Sequence, residues 1–246
     1  MHLKREKPFT ALDLRLMAMV FMLCDHLWAT LYPYQQWLTD IGRLAFPIFA
    51  FLLVEGFVHT GSRSAYGKRL FLFALISEIP FNLLTAGGFV NPFHQNVLFT
   101  FCLGFLLLQI LDRAKKKHWA VYLAAIAGCS VLGYGVGMIT FVDYYGQGIL
   151  TILAFYVFRD LRFGAAGLFL TLLYLNTALS GGRVYQWQLL GQQVEIYQQS
   201  LALLALIPIF LYNGKPGRKS RWIQYSCYAF YPVHMLVLAL LWLAAA

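Results

Sequence analysis

Charge is scarce in this sequence. Only 12% of its 246 residues are Asp, Glu, Lys or Arg, where an average soluble domain holds roughly 25%. The longest polar gap, about 181–199, reads as a loop, so a separate soluble catalytic domain is excluded. Cysteine is sparse as well. Cys24, Cys102, Cys129 and Cys227 stand singly in apolar segments and read as small core residues. Without a Cys-x-x-Cys pair, neither a zinc site nor a dithiol redox motif is indicated, and no metal is expected. No basic cluster alternates with aromatics on a soluble face, so the net charge of +9 does not point to nucleic acid. The basic N-terminal lead lacks a small-residue cleavage site, which predicts retention rather than removal as a signal peptide.

What the sequence has is apolar length, 60% of the chain. Apolar runs cover about 11–32, 41–60, 68–86, 95–112, 118–135, 146–158, 162–180, 198–212 and 222–245. A span needs about twenty residues, so the runs at 146–158 and 198–212 are short. Only helices and closed barrels satisfy the backbone in lipid, and these runs are too long and too continuously apolar for barrel strands. The expectation is an all-α integral membrane protein. It would be a single domain over 1–246, a polytopic bundle of about nine transmembrane helices with its N-terminus in the cytoplasm. A tenth segment re-entering near 134–147 is the variant.

Charge distribution gives an independent check. With the N-terminus inside, cytoplasmic segments collect Lys4, Arg5, Lys7, Arg63, Lys68, Arg69, Arg113, Lys115 to Lys117, Arg159, Arg162, Lys215, Arg218, Lys219 and Arg221, which are 16 of the 19 basic residues. Removing one span would place basic loops on opposite sides, against the positive-inside bias.

Several polar residues nonetheless fall inside the runs. A charge at the centre of a span costs roughly 2.5–3.5 kcal/mol on insertion scales, so each is a functional candidate. The first run carries Asp13, Arg15, Asp25 and His26; the second Arg43, Glu55 and His59; the third Glu78, Pro80 and Asn82; the fourth begins with His94-Gln-Asn96; the last holds Tyr231-Pro-Val-His234. Arg15 and His26 lie eleven residues apart, about 16 Å along one helix face, with Met19 and Met22 between them. Plainer readings stand beside these: Asp13 and Arg15 snorkelling to the inner interface, Arg43 and His59 as interfacial residues, His26 as a packing histidine. Gly133-x-Gly135-x-Gly137 follows no strand and reads as a loop or a helix-packing feature.

A basic inner mouth suits a phosphate-bearing ligand, and a histidine deeper along the path suits a general base. Together they suggest transfer from a phosphate-rich donor inside to an acceptor outside, and coenzyme A thioesters fit that description.

Ordered blocks add a resemblance. Asp25-His-Leu, Ile41-Gly-Arg-Leu-Ala-Phe-Pro-Ile-Phe-Ala50, Glu55-Gly-Phe, Tyr66 with Arg69-Leu, Ser77-Glu-Ile-Pro-Phe-Asn82, Gln95-Asn-Val-Leu-Phe-Thr100, Tyr212-Asn-Gly-Lys215 and Phe230-Tyr-Pro-Val-His234 together resemble the TraX family. The resemblance runs from about residue 10 to 240. That family is similar to transmembrane acyltransferases of surface glycans, whose Arg-x10-His pattern Arg15 and His26 match. It implies a multi-pass protein of the bacterial cytoplasmic membrane that takes acetyl from acetyl-CoA. The acceptor would be an extracytoplasmic amine or hydroxyl, on a pilin-like protein in conjugation or on a surface glycan. On that reading His26 is the base, with Asp25 or Glu78 orienting it; Asp25 points about 100° away along the helix, which favours Glu78. Arg43, Asn82 and Asn96 are candidate oxyanion stabilisers, and His234 a second acid or base. Arg15, Arg63, Arg69 and Lys215 would contact the donor's phosphates, with Glu55, His59 and Tyr231 along its path. A proton-coupled transporter using Glu55, Glu78 and His26 is the rival, although no internal repeat is visible. A non-catalytic assembly protein is the third reading.

Overall fold

The structure, a computed structural model, describes residues 7–189, 191–218 and 220–245; Lys4, Arg5 and Lys219 lie outside them. The chain runs α1 (Ala11–Thr30), α2 (Gln36–Gly42), α3 (Ala45–His59), α4 (Arg63–Ala86), α5 (Val97–Lys115), α6 (Trp119–Ile139), α7 (Tyr145–Phe158) and α8 (Gly164–Tyr174). A π-helical turn (Leu175–Leu179), strands β1 (Val184–Leu189) and β2 (Gln192–Tyr197), a 3-10 segment (Gln198–Ala205), α9 (Leu206–Phe210) and α10 (Arg221–Ala245) complete it. Helix thus occupies each of the apolar runs. Among the described residues, five helical stretches are long and apolar enough to cross a membrane: 36–59, 63–86, 97–115, 119–139 and 222–244. Tyr145–Phe158, Gly164–Leu179 and Gln198–Phe210 are shorter apolar helices, and α1 carries Asp13, Arg15 and Asp25. This is an all-α, membrane-type architecture with one small β element.

That element corrects the expected loop at 181–199. β1 and β2 pair antiparallel, Val184 opposite Tyr197 through Leu189 opposite Gln192. Alternation of apolar and polar residues from Tyr185 to Gln188 and from Gln193 to Ile196 gives each strand two faces. Gly191, at φ +81°, supplies the left-handed turn residue.

Charge pairs order one end of the bundle. Arg63 meets Asp112 at 2.7 Å, Lys116 meets Asp112 at 3.0 Å, Lys115 meets Asp160 at 2.9 Å, and Arg159 meets Glu55 at 2.8 Å. These contacts gather the ends of α3, α4, α5 and α7. The 211–217 loop joins them beside α1, where the Ala11 amide donates to the Lys215 carbonyl at 2.9 Å. This is the basic end. Asp13 belongs here for a structural reason, since it closes a capping box with Thr10 at the start of α1. At the far end, Gln95 bridges to the 140–144 loop, and the hairpin is rooted on α2.

In lipid, helices associate through van der Waals packing more than through water exclusion. Leu14, Ile48, Phe57, Leu108, Leu111, Ile149 and Ile152, all fully buried, form the centre between α1, α3, α5 and α7. The triple-glycine stretch lies within α6, not in a loop, and Gly133 packs there against Ile149 and Leu107. Gly42, where α2 gives way to α3, faces Asp25 of α1; a Cβ there would lie 2.5 Å from the Asp25 Cβ. Overpacking of this kind costs about 1–3 kcal/mol. Gly42→Ala is therefore expected to lower the thermal midpoint of the detergent-solubilised protein, and an unchanged midpoint would show that the helices separate freely.

Candidate functional site

α1 places Arg15, Met19, Met22 and His26 along one face, and that face lines two adjoining cavities. The larger, about 170 Å³, starts near Arg15 of α1 and Arg69 of α4 and is bounded by Tyr66, Phe73, Cys227 and Tyr228. The smaller, about 50 Å³, is lined by Asp25, His26, Asp143 and Tyr144. Met22, Phe49, Val97, Phe101 and Tyr231 line both, so an apolar path leads from two arginines to a histidine.

Among the described residues, Arg15 and Arg69 form no ion pair. The other expected phosphate contacts differ. Arg63 is engaged by Asp112 and lies over the Phe57 ring at 4.2 Å. Glu55, 8% exposed, holds Arg159, and His59 approaches Glu55 at 3.6 Å. Lys215 contributes its carbonyl to the start of α1. None of Glu55, His59, Arg63 or Lys215 lines either cavity, whereas Arg15, Arg69 and Tyr231 do. For Arg63 the physical reason is competition: Asp112, within reach at the same end of the bundle, captures the guanidinium before a ligand can.

The His26 surroundings also depart from expectation. His26 Nδ1 lies 2.8 Å from His234 Nε2, with the rings 5° from parallel. His234 Nδ1 lies 2.6 Å from the Phe230 carbonyl. A carbonyl only accepts, so His234 Nδ1 carries the proton and its Nε2 accepts from His26 Nδ1. That tautomer leaves the His26 Nε2 lone pair as the basic position. Phe230 stacks against the His234 ring at 4.5 Å and limits its rotation. Sequence distance hides this pair: 208 residues separate the two histidines.

Glu78, the expected partner of His26, instead accepts from Asn96 Nδ2 at 2.5 Å. Asn96 also caps α5 through Leu98 and donates to the Ala74 carbonyl at 2.8 Å. Asn82 donates to the Phe89 carbonyl at 3.2 Å. Glu78, Asn82 and Asn96 thus tie α4 to α5 and to the 87–96 loop, and none of them lines either of the two cavities. Asn96 spends both its donors and its acceptor on the helix junction, which leaves nothing for an oxyanion.

Arg43 stands behind the smaller cavity. It reaches Asp25, the Thr39 carbonyl at 3.2 Å, Thr39 Oγ1 at 3.1 Å and Gln199 Oε1 at 3.4 Å. Thr39 Oγ1 also donates to Asp25 at 2.7 Å. Asp25 therefore presents a carboxylate held by two neighbours, while Arg43 itself stays outside the lining.

Asp143 and Tyr144 were not singled out in the sequence. They enter through the 140–145 loop, where Phe141, Tyr144 and Tyr145 all take positive φ, a sparsely populated conformation for non-glycine residues. Thr100 fixes it by donating to the Asp143 carbonyl at 2.5 Å, and Tyr144 stacks on Phe46 at 4.0 Å. The polar Asp-Tyr-Tyr interruption between two apolar runs was the available signal. His94 lies 3.5 Å from Asp143. Its hydrogen bond to Asp143 outweighs burial and raises its pKa above the ordinary 6.5. The stabilisation is complete below about pH 6.5 and is lost as pH rises through the higher folded value. The thermal midpoint is therefore expected to fall, as pH rises above about 6.5, more steeply in wild type than in His94→Gln; parallel profiles would remove this role.

The TraX protein family matches the chain over residues 11–242. A probable fimbrial assembly protein, FimC of serogroup H1 from Dichelobacter nodosus, is 27% identical to it, and the match covers 96% of this chain and 97% of that protein. No solved structure matches. With the family pattern extending across nearly the whole chain, from the basic mouth to the far end of α10, the protein belongs to the TraX family.

Proposed function

We propose that this chain is a membrane acetyltransferase that moves an acetyl group from cytoplasmic acetyl-CoA to an extracytoplasmic amine or hydroxyl. Its helical runs would cross the bacterial cytoplasmic membrane nine times, with the basic end in the cytoplasm. The observation that carries this reading is the path from Arg15 and Arg69, through apolar walls, to a histidine with a defined basic nitrogen. The arginines would hold phosphate oxygens by charge-assisted hydrogen bonds, and the apolar passage suits the pantetheine arm.

At the smaller cavity the acceptor N–H or O–H would give its proton to His26 Nε2 while its heteroatom attacks the thioester carbonyl. Collapse breaks the C–S bond, and His26 returns the proton to the leaving thiolate. The products are acetylated acceptor and free CoA. His234 would keep His26 Nδ1 protonated and the ring oriented throughout. The relative named for fimbrial assembly favours a pilin-like subunit over a glycan as acceptor.

The direct test is to incubate purified protein in nanodiscs with labelled acetyl-CoA and envelope fractions and to identify the labelled product. Each charge-assisted contact is worth about 1.5–3 kcal/mol. Arg15→Ala and Arg69→Ala are each expected to raise KM for acetyl-CoA about ten-fold or more with little change in kcat. Unchanged KM in both would remove the donor site. Solute uptake into proteoliposomes without acetyl-CoA would favour transport instead.

A further inference from the structure

The hairpin formed by β1 and β2 has two unlike faces. Directly opposed residues share a face, so Tyr185 with Ile196 and Trp187 with Val194 lie on one side. Gln186 with Glu195 and Gln188 with Gln193 lie on the other. The apolar face carries no charged residue yet is open: Trp187 is 64% exposed, Ile196 38% and Val194 37%.

Its orientation is fixed at the root. Tyr185 donates to Asp40 of α2 at 2.6 Å, Gln198 donates to the same carboxylate at 2.8 Å, and Arg183 reaches Gln36. The apolar face therefore turns toward the helix ends. Trp187 lies about 7 Å farther along the strand, beyond α2. The exposed Tyr32, Tyr34 and Trp37 border α2 at the same end. The chain enters the hairpin from one apolar helical segment and leaves it into another, Gly164–Leu179 and Gln198–Phe210, which sets its root at the level where helices end.

A two-stranded ribbon is marginal without something against its apolar face. Two features favour lipid over protein as that cover. Trp, Tyr and short apolar residues are the composition of a membrane–water boundary. The exposed side chains also present at most a few hundred Å², below the roughly 1,000 Å² of a stable protein interface.

We infer that the hairpin is seated in the membrane interface at the far end of the bundle, with Trp187, Val194 and Ile196 among phospholipid headgroups and upper acyl chains and the glutamine face in water. This rests on the helices crossing a membrane and not on the acetyltransferase reading. Because the root also includes Gln199, which accepts from Arg43 behind Asp25, the seat sets the height of α2, and with it Asp25, relative to the bilayer.

The test places the photocrosslinker benzoylphenylalanine at position 187 and, separately, at 188 on the opposite face. The full-length protein is irradiated both in native membranes and in nanodiscs of phosphatidylcholine and phosphatidylglycerol. Mass spectrometry of the hairpin peptide is expected to show phospholipid adducts at least about ten times more abundant at 187 than at 188 in both settings. Equal adduct yields at the two positions, or a protein adduct in place of lipid at 187 in native membranes, would overturn the proposal. Both substitutions are on exposed side chains, and the thermal midpoint verifies folding.

Discussion

If the proposed acetyl transfer is the activity, His26→Ala is expected to lower it by about 10²-fold or more while leaving the protein folded, since general base catalysis contributes about 10²–10⁴-fold. Of the four ring nitrogens in the His26–His234 pair, one is open for this task. His234 Nδ1 is committed to the Phe230 carbonyl and His234 Nε2 to His26, so only His26 Nε2 remains. A half-buried side chain at the cavity wall should leave little strain when truncated, and an unchanged thermal midpoint would separate lost chemistry from lost structure. Turnover near the wild-type rate would remove His26 from the mechanism.

The second large effect concerns His234, a positioning residue. Replacing His234 with Phe keeps the ring but removes the acceptor for His26 Nδ1–H. Partners of this kind cost about 10–100-fold when removed, because the imidazole they orient loses its tautomer. The loss should fall on kcat, with KM for acetyl-CoA nearly constant, and the acid limb of the kcat–pH profile should move. His234→Gln, whose amide oxygen can accept the same proton, is expected to recover part of the rate. If Phe and Gln variants lost activity equally, with unaltered pH profiles, His234 would be a packing residue only.

The sequence made the basic end of the path legible in part. Arg15, Met19, Met22 and His26 share a face because helical periodicity is local, and the cavities follow that face. Arg69 and Tyr231 also proved to line the path. Arg63, Glu55, His59 and Lys215 do not, and their sequence signal was of the same kind: a polar residue near a span end. Arg63 and Glu55 are drawn off by Asp112 and Arg159, which are close enough to engage them. Glu78 and Asn96 were legible as buried polar residues needing partners, and they found each other rather than His26. The strained 140–145 loop falls where the sequence offered only a re-entrant variant near 134–147, and its delivery of Asp143 and Tyr144 to the histidine came from packing against Thr100 and Phe46.

Scarce charge and long apolar runs determined by themselves that this chain forms apolar helices, because a hydrocarbon solvent leaves the backbone few other choices. They also determined that basic residues cluster between particular runs. Only the tertiary structure decided which charges neutralise one another, that Arg15 and Arg69 line the larger cavity, and that His26 answers to His234. Those outcomes depend on distances between helices far apart in sequence, and hydrogen bonds and ion pairs are made or lost within about an ångström.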